Sequence, residues 1–304
     1  MQLSGLHVYP VKSMYRVSPD SVSVEPWGLA GDRRWMLADP TGRFVSQREN
    51  PALARIRTGL GPDGALTLTS PGGDRIEIAA PAVTAGDPLA EVEVWGTRFR
   101  AAEAPKEAHE WIAEHLGEYR LVHLDDPHAR PVDPEYGEPG DTVSMADGYP
   151  LLLTTTASLA RLNELVAAAH PDGHETLPME RFRPNVVVDG SEPWAEDGWR
   201  RIRIGELTFR VVKPCGRCVV TTTDQETGER RGAEPLRTLA KHHRLRKQAA
   251  FGMNLIPERP ATVTDHVTGE VTGHVTGDVL GVLRLGDEVE VLEDGRQWSV
   301  DSRA

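Results

Sequence analysis

Short β-branched runs, cut repeatedly by glycine and proline, leave this chain little room for long helices. Its 304 residues hold 29 Gly and 23 Pro, the residues that break helices and open turns. The spacing predicts strands over Leu6–Val11 and Val17–Val24, then a hairpin of Arg34–Ala38 and Arg43–Ser46 around Asp39-Pro40-Thr41-Gly42. Leu66–Leu68, Arg75–Ile78 and Val92–Val94 continue the pattern. Helical spacing is found in fewer places. Lys106–Leu116 sets Ala108, Trp111, Ile112 and Leu116 on one face. Ser158–Ala168 does the same with Leu159, Leu162, Leu165 and Val166, and Thr155, Thr156 or Ser158 can cap it. Pro235–His243 opens on a proline suited to a first turn.

The length suits one large domain or two ordinary ones. A stretch rich in Pro, Asp and Glu, Asp125–Asp147, separates a β-rich N-terminal part from a mixed C-terminal part. The expected division is residues 1–125 and 126–304, with an insertion at 264–279. Within it, Val267–Asp278 repeats Val-Thr-Gly three times at a period of four. That period fits neither a strand nor a helix face, so a surface insertion is expected.

A net charge of −12 argues against non-specific nucleic-acid binding. The start, Met1-Gln2-Leu3-Ser4-Gly5-Leu6, lacks the charged and apolar regions of a signal peptide. No window has the roughly 18 apolar residues of a membrane span. A cytoplasmic protein without membrane contact is expected.

The chemistry concentrates in Lys213-Pro214-Cys215-Gly216-Arg217-Cys218, which holds the only two cysteines. They cannot supply the four thiolates of an iron–sulfur cluster. A thioredoxin-type pair opens a helix, whereas here β-type runs, Leu207–Val212 and Val219–Thr223, flank the pair and place it on a loop. A zinc site needs about two further ligands, and the adjacent His242 and His243 would face different directions. Buried structural cysteines and a thiolate ligand to a soft metal both remain open. Three basic segments bear on the choice: Tyr9-Pro10-Val11-Lys12-Ser13, Gly31-Asp32-Arg33-Arg34-Trp35 and Arg181-Phe182-Arg183-Pro184-Asn185. Arginine presents a planar fork suited to phosphate and ring carbonyls.

These segments, with Val-Ser-Gln-Arg-Glu (45–49), Ala-Asp-Gly-Tyr-Pro-Leu-Leu-Leu (146–153) and Pro-Cys-Gly-Arg-Cys (214–218), occur in an order that resembles the MOSC proteins with an N-terminal MOSC β-barrel domain. These include the mitochondrial amidoxime reducing component and its bacterial relatives. The resemblance implies a β-rich α+β fold, with a small N-terminal β domain and a MOSC β-barrel domain bearing a few helices. It implies a molybdenum cofactor, with Cys218 as the metal's thiolate ligand and Cys215 as a neighbouring thiol. Cofactor contacts carry over to Lys12, Ser13, Arg33, Thr155, Arg183, Asn185 and Gly216; Asn254 stands where mitochondrial relatives have a tyrosine. Asp224 is nominated as a proton carrier against its plainer reading as a turn former. The implied activity is reduction of small N-hydroxylated substrates with electrons from a separate donor protein, since no spare cysteines are present. The alternative is a cofactor or sulfur carrier using a cysteine persulfide. No lysine sits in a context that argues for a Schiff base, so pyridoxal phosphate is not expected.

Overall fold

The computed structural model describes residues 1–81, 89–259 and 279–295. The Val-Thr-Gly repeat lies outside the described residues. The principal sheet runs in the order Gln2–Leu6, Val186–Asp189, Leu151–Thr155, Gln248–Pro257, Leu207–Gly216, Trp199–Ile204 and Val289–Asp294. Arg244–Leu245 pairs additionally with Gln248–Pro257. The two ends of the sheet meet where Gln2 bridges Glu288 and the Val289 N–H donates to Met1 O at 2.9 Å. Period-2 alternation explains the curl: one face of successive strands (Leu151/Leu153, Val186/Val188, Ile202/Ile204, Leu207/Phe209/Val211, Met253/Leu255) fills a single apolar core. The one parallel pair in this sheet, Leu151–Thr155 with Val186–Asp189, is joined through the helix Thr156–Ala169, as parallel neighbours need a crossover.

The N-terminal part contributes a four-stranded sheet, Trp35–Ala38, Arg120–His123, Thr97–Glu103 and Leu89–Val94. Trp35–Ala38 is buried on both faces, with Trp35 and Leu37 in one apolar cluster and Met36 and Ala38 in another. A small sheet, Arg57–Leu60, Leu66–Thr69 and Arg75–Ile78, closes the first cluster together with the helix Lys106–His115. The two parts interleave. The first strand belongs to the principal sheet, and Gly281–Arg284 pairs with Ser21–Glu25. This is the expected strand-rich α+β class, with three α-helices among the described residues.

Several expected elements shift. Leu6–Val11 and Val17–Val24 are replaced by strands at Gln2–Leu6 and Ser21–Glu25, linked by a single Val8–Val17 bridge. Pro10 has no N–H for a ladder, and Ser13 turns the chain at φ 70°. Arg43–Ser46 forms isolated bridges rather than a strand, although the turn before it is present, closed by Asp39 accepting from the Thr41 and Arg43 N–H groups. Val219–Thr222 is a 3₁₀ turn, because the Thr221 and Thr222 hydroxyls donate to Cys218 O and Val219 O, three residues back, at 2.9 and 2.8 Å. Cys215 accordingly ends a strand and Cys218 opens that turn. Near the end of the described residues, Gly286 turns the chain at φ 89° between Gly281–Arg284 and Val289–Asp294.

Gly252 lies inside Gln248–Pro257 at φ 80°, and a Cβ there would stand 2.5 Å from Leu153 O and 2.8 Å from Thr154 Cγ2. Gly252→Ala is expected to cost about 2 kcal/mol through strain and backbone contact. A lower urea midpoint checks this, and an unchanged midpoint would refute it.

Candidate functional site

A cleft of about 860 Å³, including its open mouth, lies where the ends of distant segments converge. Eight of the nine sequence-predicted residues line it: Lys12, Ser13, Arg33, Arg183, Asn185, Gly216, Cys218 and Asn254. Thr155 is outside the lining. It is fully buried and caps the helix Thr156–Ala169, its hydroxyl accepting from Ser158 N–H at 3.1 Å and lying 3.2 Å from Glu196 Oε2. Asp224 is also outside. Its carboxylate accepts from the N–H groups of Glu226 and Thr227, both at 2.9 Å, so it shapes a turn. His242 is exposed whereas His243 is buried against Asp197, 2.8 Å away.

Tyr9 organises the cationic wall. It is buried, its N–H donates to Asp32 Oδ1 at 2.8 Å, and its hydroxyl donates to Pro184 O at 3.2 Å. The Arg33 and Arg183 guanidinium carbons lie 4.5 and 4.2 Å from the centre of its ring. Burial pushes the Tyr9 phenol up to about 12 against the pull of both arginines. Arg33 donates to Asp32 Oδ2 at 2.5 Å and to Asn185 Oδ1 at 3.1 Å. Asn185 is buried and also accepts from Leu152 N–H while donating to His7 O, each at 3.1 Å. One amide therefore ties the N-terminal segment, two strands and an arginine together.

Ser13, Arg33 and Arg183 all hold left-handed backbone, at φ 70, 48 and 54°. Non-glycine residues adopt that conformation at a cost, and such strain gathers at functional sites. Burial lowers Arg183 to about 10, aided by the nearby charge of Arg33, and its Nη2 is buried without a protein partner. Lys12 donates to Met145 O at 3.0 Å and pairs with Asp147. Burial lowers its ammonium to about 8 against the attraction of Asp147. Crowding by protein atoms disfavours the Asp147 charge, yet Lys12, a hydrogen bond from Trp95 and Arg48 draw its carboxyl well below the ordinary range. Its side chain keeps 63% exposure at the mouth, so water screens the pair.

The cysteines are unequal. Arg48 Nη2 donates to Cys218 Sγ at 3.1 Å, while Arg217 Nη1 donates to Cys215 Sγ at 2.8 Å. Arg217 also donates to Phe182 O at 2.6 Å, which fixes its place over the strand end. Arg48, Asp147 and Arg217 escaped the sequence reading as separate candidates. Each sits inside a quoted motif segment, which was the available signal. Five cations line the cleft (Lys12, Arg33, Arg48, Arg183, Arg217) against one carboxylate, Asp147. A soft thiol beside unneutralised guanidinium groups fits a soft metal carried on an anionic organic group.

The MOSC N-terminal beta barrel domain family matches residues 1–119 and the MOSC domain family matches residues 140–290. The chain is 30% identical over 280 residues to mitochondrial amidoxime-reducing component 1 of Homo sapiens, covering 86% of this chain and 80% of that protein. It is 31% identical over 248 residues to the Danio rerio protein of the same name, covering 78% of this chain and 73% of that one. It is also 30% identical over 271 residues to molybdenum cofactor sulfurase of Oryza sativa subsp. japonica, covering 84% of this chain but 32% of that protein. Among the described residues, no helix is long and apolar enough to cross a membrane. The chain belongs to the MOSC family, among the members with an N-terminal MOSC β-barrel domain.

Proposed function

We propose that this chain binds a molybdenum cofactor in the cleft and reduces N-hydroxylated substrates such as amidoximes, using electrons from a separate protein. The observation that carries this reading is the convergence of Cys218 with five cations, one of them the partly unsatisfied Arg183. Cys218 would supply the thiolate to the metal, and Lys12, Ser13, Arg33, Arg183 and Asn185 would hold the anionic and polar edges of the pterin. When bound, the cofactor supplies a centre that takes an oxygen atom from the substrate and is re-reduced. The balance is an amidoxime plus two electrons and two protons giving an amidine and water, with the N–O bond broken. Asp147, held ionised at the mouth by Lys12, fixes the Lys12 ammonium at the edge of the cleft.

The donor is a separate reductase or carrier of the ferredoxin or cytochrome kind. Purified holoprotein is expected to reduce benzamidoxime with reduced viologen as artificial donor, and not with NADH alone. Full turnover with NADH alone would overturn the need for a partner. The second reading, a cofactor or sulfur carrier, draws support from the likeness to molybdenum cofactor sulfurases. It predicts a persulfide on Cys215 or Cys218 by mass spectrometry, without turnover.

The low Lys12 value gives a pH dependence with a definite sign. With its ordinary free value lowered to about 8, Lys12 loses its proton above that pH, whereas a bound anion holds the proton on. Binding above pH 8 thus takes up a proton, and affinity falls as pH rises. Sulfate, whose charge is constant over this range, is expected by calorimetry to bind about tenfold more weakly at pH 9.5 than at pH 7. An equal affinity at both would contradict a role for Lys12 in anion binding.

A further inference from the structure

The hairpin Leu89–Val94 to Thr97–Glu103 ends in the register pair Val94 and Thr97, leaving Trp95-Gly96 as its two-residue turn. Both turn residues have positive φ, 52° at Trp95 and 85° at Gly96. Such a turn favours asparagine before glycine, and a bulky tryptophan goes against that preference. Trp95 is also 54% exposed, the highest value among the exposed large hydrophobic residues described. A residue that opposes both its backbone and its solvent is where a function is to be sought.

Its neighbours connect it to the cleft. The Phe44 ring stands 5.0 Å away at 60°, and the Arg48 guanidinium carbon lies 4.7 Å from the ring centre. Arg48 in turn donates to Cys218 Sγ, and the indole adds a hydrogen bond toward Asp147. The exposed ring is therefore one guanidinium away from the thiol. We propose that Trp95 is a stacking platform at the cleft mouth, and that it selects planar aromatic N-hydroxylated substrates over aliphatic ones. A ring lying on Trp95 can direct its N–OH end past Arg48 toward Cys218. A single exposed ring is too small an apolar patch for a stable protein interface, which favours a small flat ligand over the electron donor as its occupant. The N-hydroxylated part of this proposal rests on the reductase reading; the planar aromatic part rests on geometry alone.

The test compares kcat/KM for benzamidoxime and acetamidoxime in holoprotein with the viologen donor. Trp95→Asn is expected to lower the aromatic-to-aliphatic ratio about tenfold, mainly through KM, and Trp95→Phe to lower it less. Because Asn-Gly suits the turn, the thermal midpoint of Trp95→Asn is expected to be no lower than wild type. A ratio that stays constant, whether both substrates fall together or neither does, overturns the proposal. A second arm does not depend on turnover. Benzamidoxime is expected to quench tryptophan fluorescence of the wild type and to lose that quenching in Trp95→Phe. If the wild type reduces neither compound but Trp95 is quenched, the reductase reading fails and the platform stands. If Trp95 is not quenched, the platform fails whether or not the compounds are reduced.

Discussion

Cys218→Ser is expected to leave a folded protein that retains at most about 0.05 molybdenum per chain, where the wild type from a competent host approaches one. A serine hydroxyl is a hard, poorly ionised donor and a weak replacement for thiolate on a soft metal. The fold should persist because Cys218 is only partly buried and opens a short 3₁₀ turn held by its carbonyl, not its sulfur. Serine also preserves an acceptor for Arg48. Cys215→Ser, by contrast, is expected to keep most of the metal, since Cys215 sits at the strand end with Arg217 as its partner. Elemental analysis of both variants, beside circular dichroism for folding, separates the two thiols. Equal metal in the two variants would refute the assignment.

Asn185→Ala is expected to destabilise the chain by about 3 kcal/mol, more than Gly252→Ala. The side chain is 1% exposed and makes three hydrogen bonds, with Leu152 N–H, Arg33 and His7 O. Alanine leaves Leu152 N–H and His7 O without that partner inside the protein, while Arg33 keeps Asp32. It also frees Arg33 from one of its anchors, so anion affinity should fall with stability. Urea unfolding measures the first effect and pyrophosphate titration the second. Asn185→Asp keeps the acceptor but loses the donor to His7 O, and should be destabilised less because Arg33 faces the new charge. A wild-type urea midpoint in Asn185→Ala would contradict the hydrogen-bond account.

What was legible beforehand follows from where information lies in a chain. The helices Lys106–His115 and Thr156–Ala169 were visible because their apolar spacing is local, and Leu236–His242 because Pro235 precedes it. Leu66–Thr69 and Arg75–Ile78 were visible because alternation and turn residues sit side by side. The strand at Gln2–Leu6 was displaced in the reading because its partners, Val186–Asp189 and Glu288, are far along the sequence. Of the site, the motif residues were found, but not the couplings between them. Nothing local to Tyr9 says that two arginines from opposite parts will stack on it, and nothing local to Arg48 names Cys218 as its acceptor. Trp95 was invisible for the same reason: its exposure and positive φ exist only once the hairpin closes.

A single-turnover measurement tests the central claim most directly. Molybdenum-loaded protein is reduced with excess dithionite, freed of it anaerobically and mixed with benzamidoxime. About one benzamidine per molybdenum is expected for a two-electron centre, and none from Cys218→Ser. Fully loaded, reduced protein that forms no benzamidine, with a persulfide on either cysteine, would contradict the reductase reading and leave the carrier reading in its place.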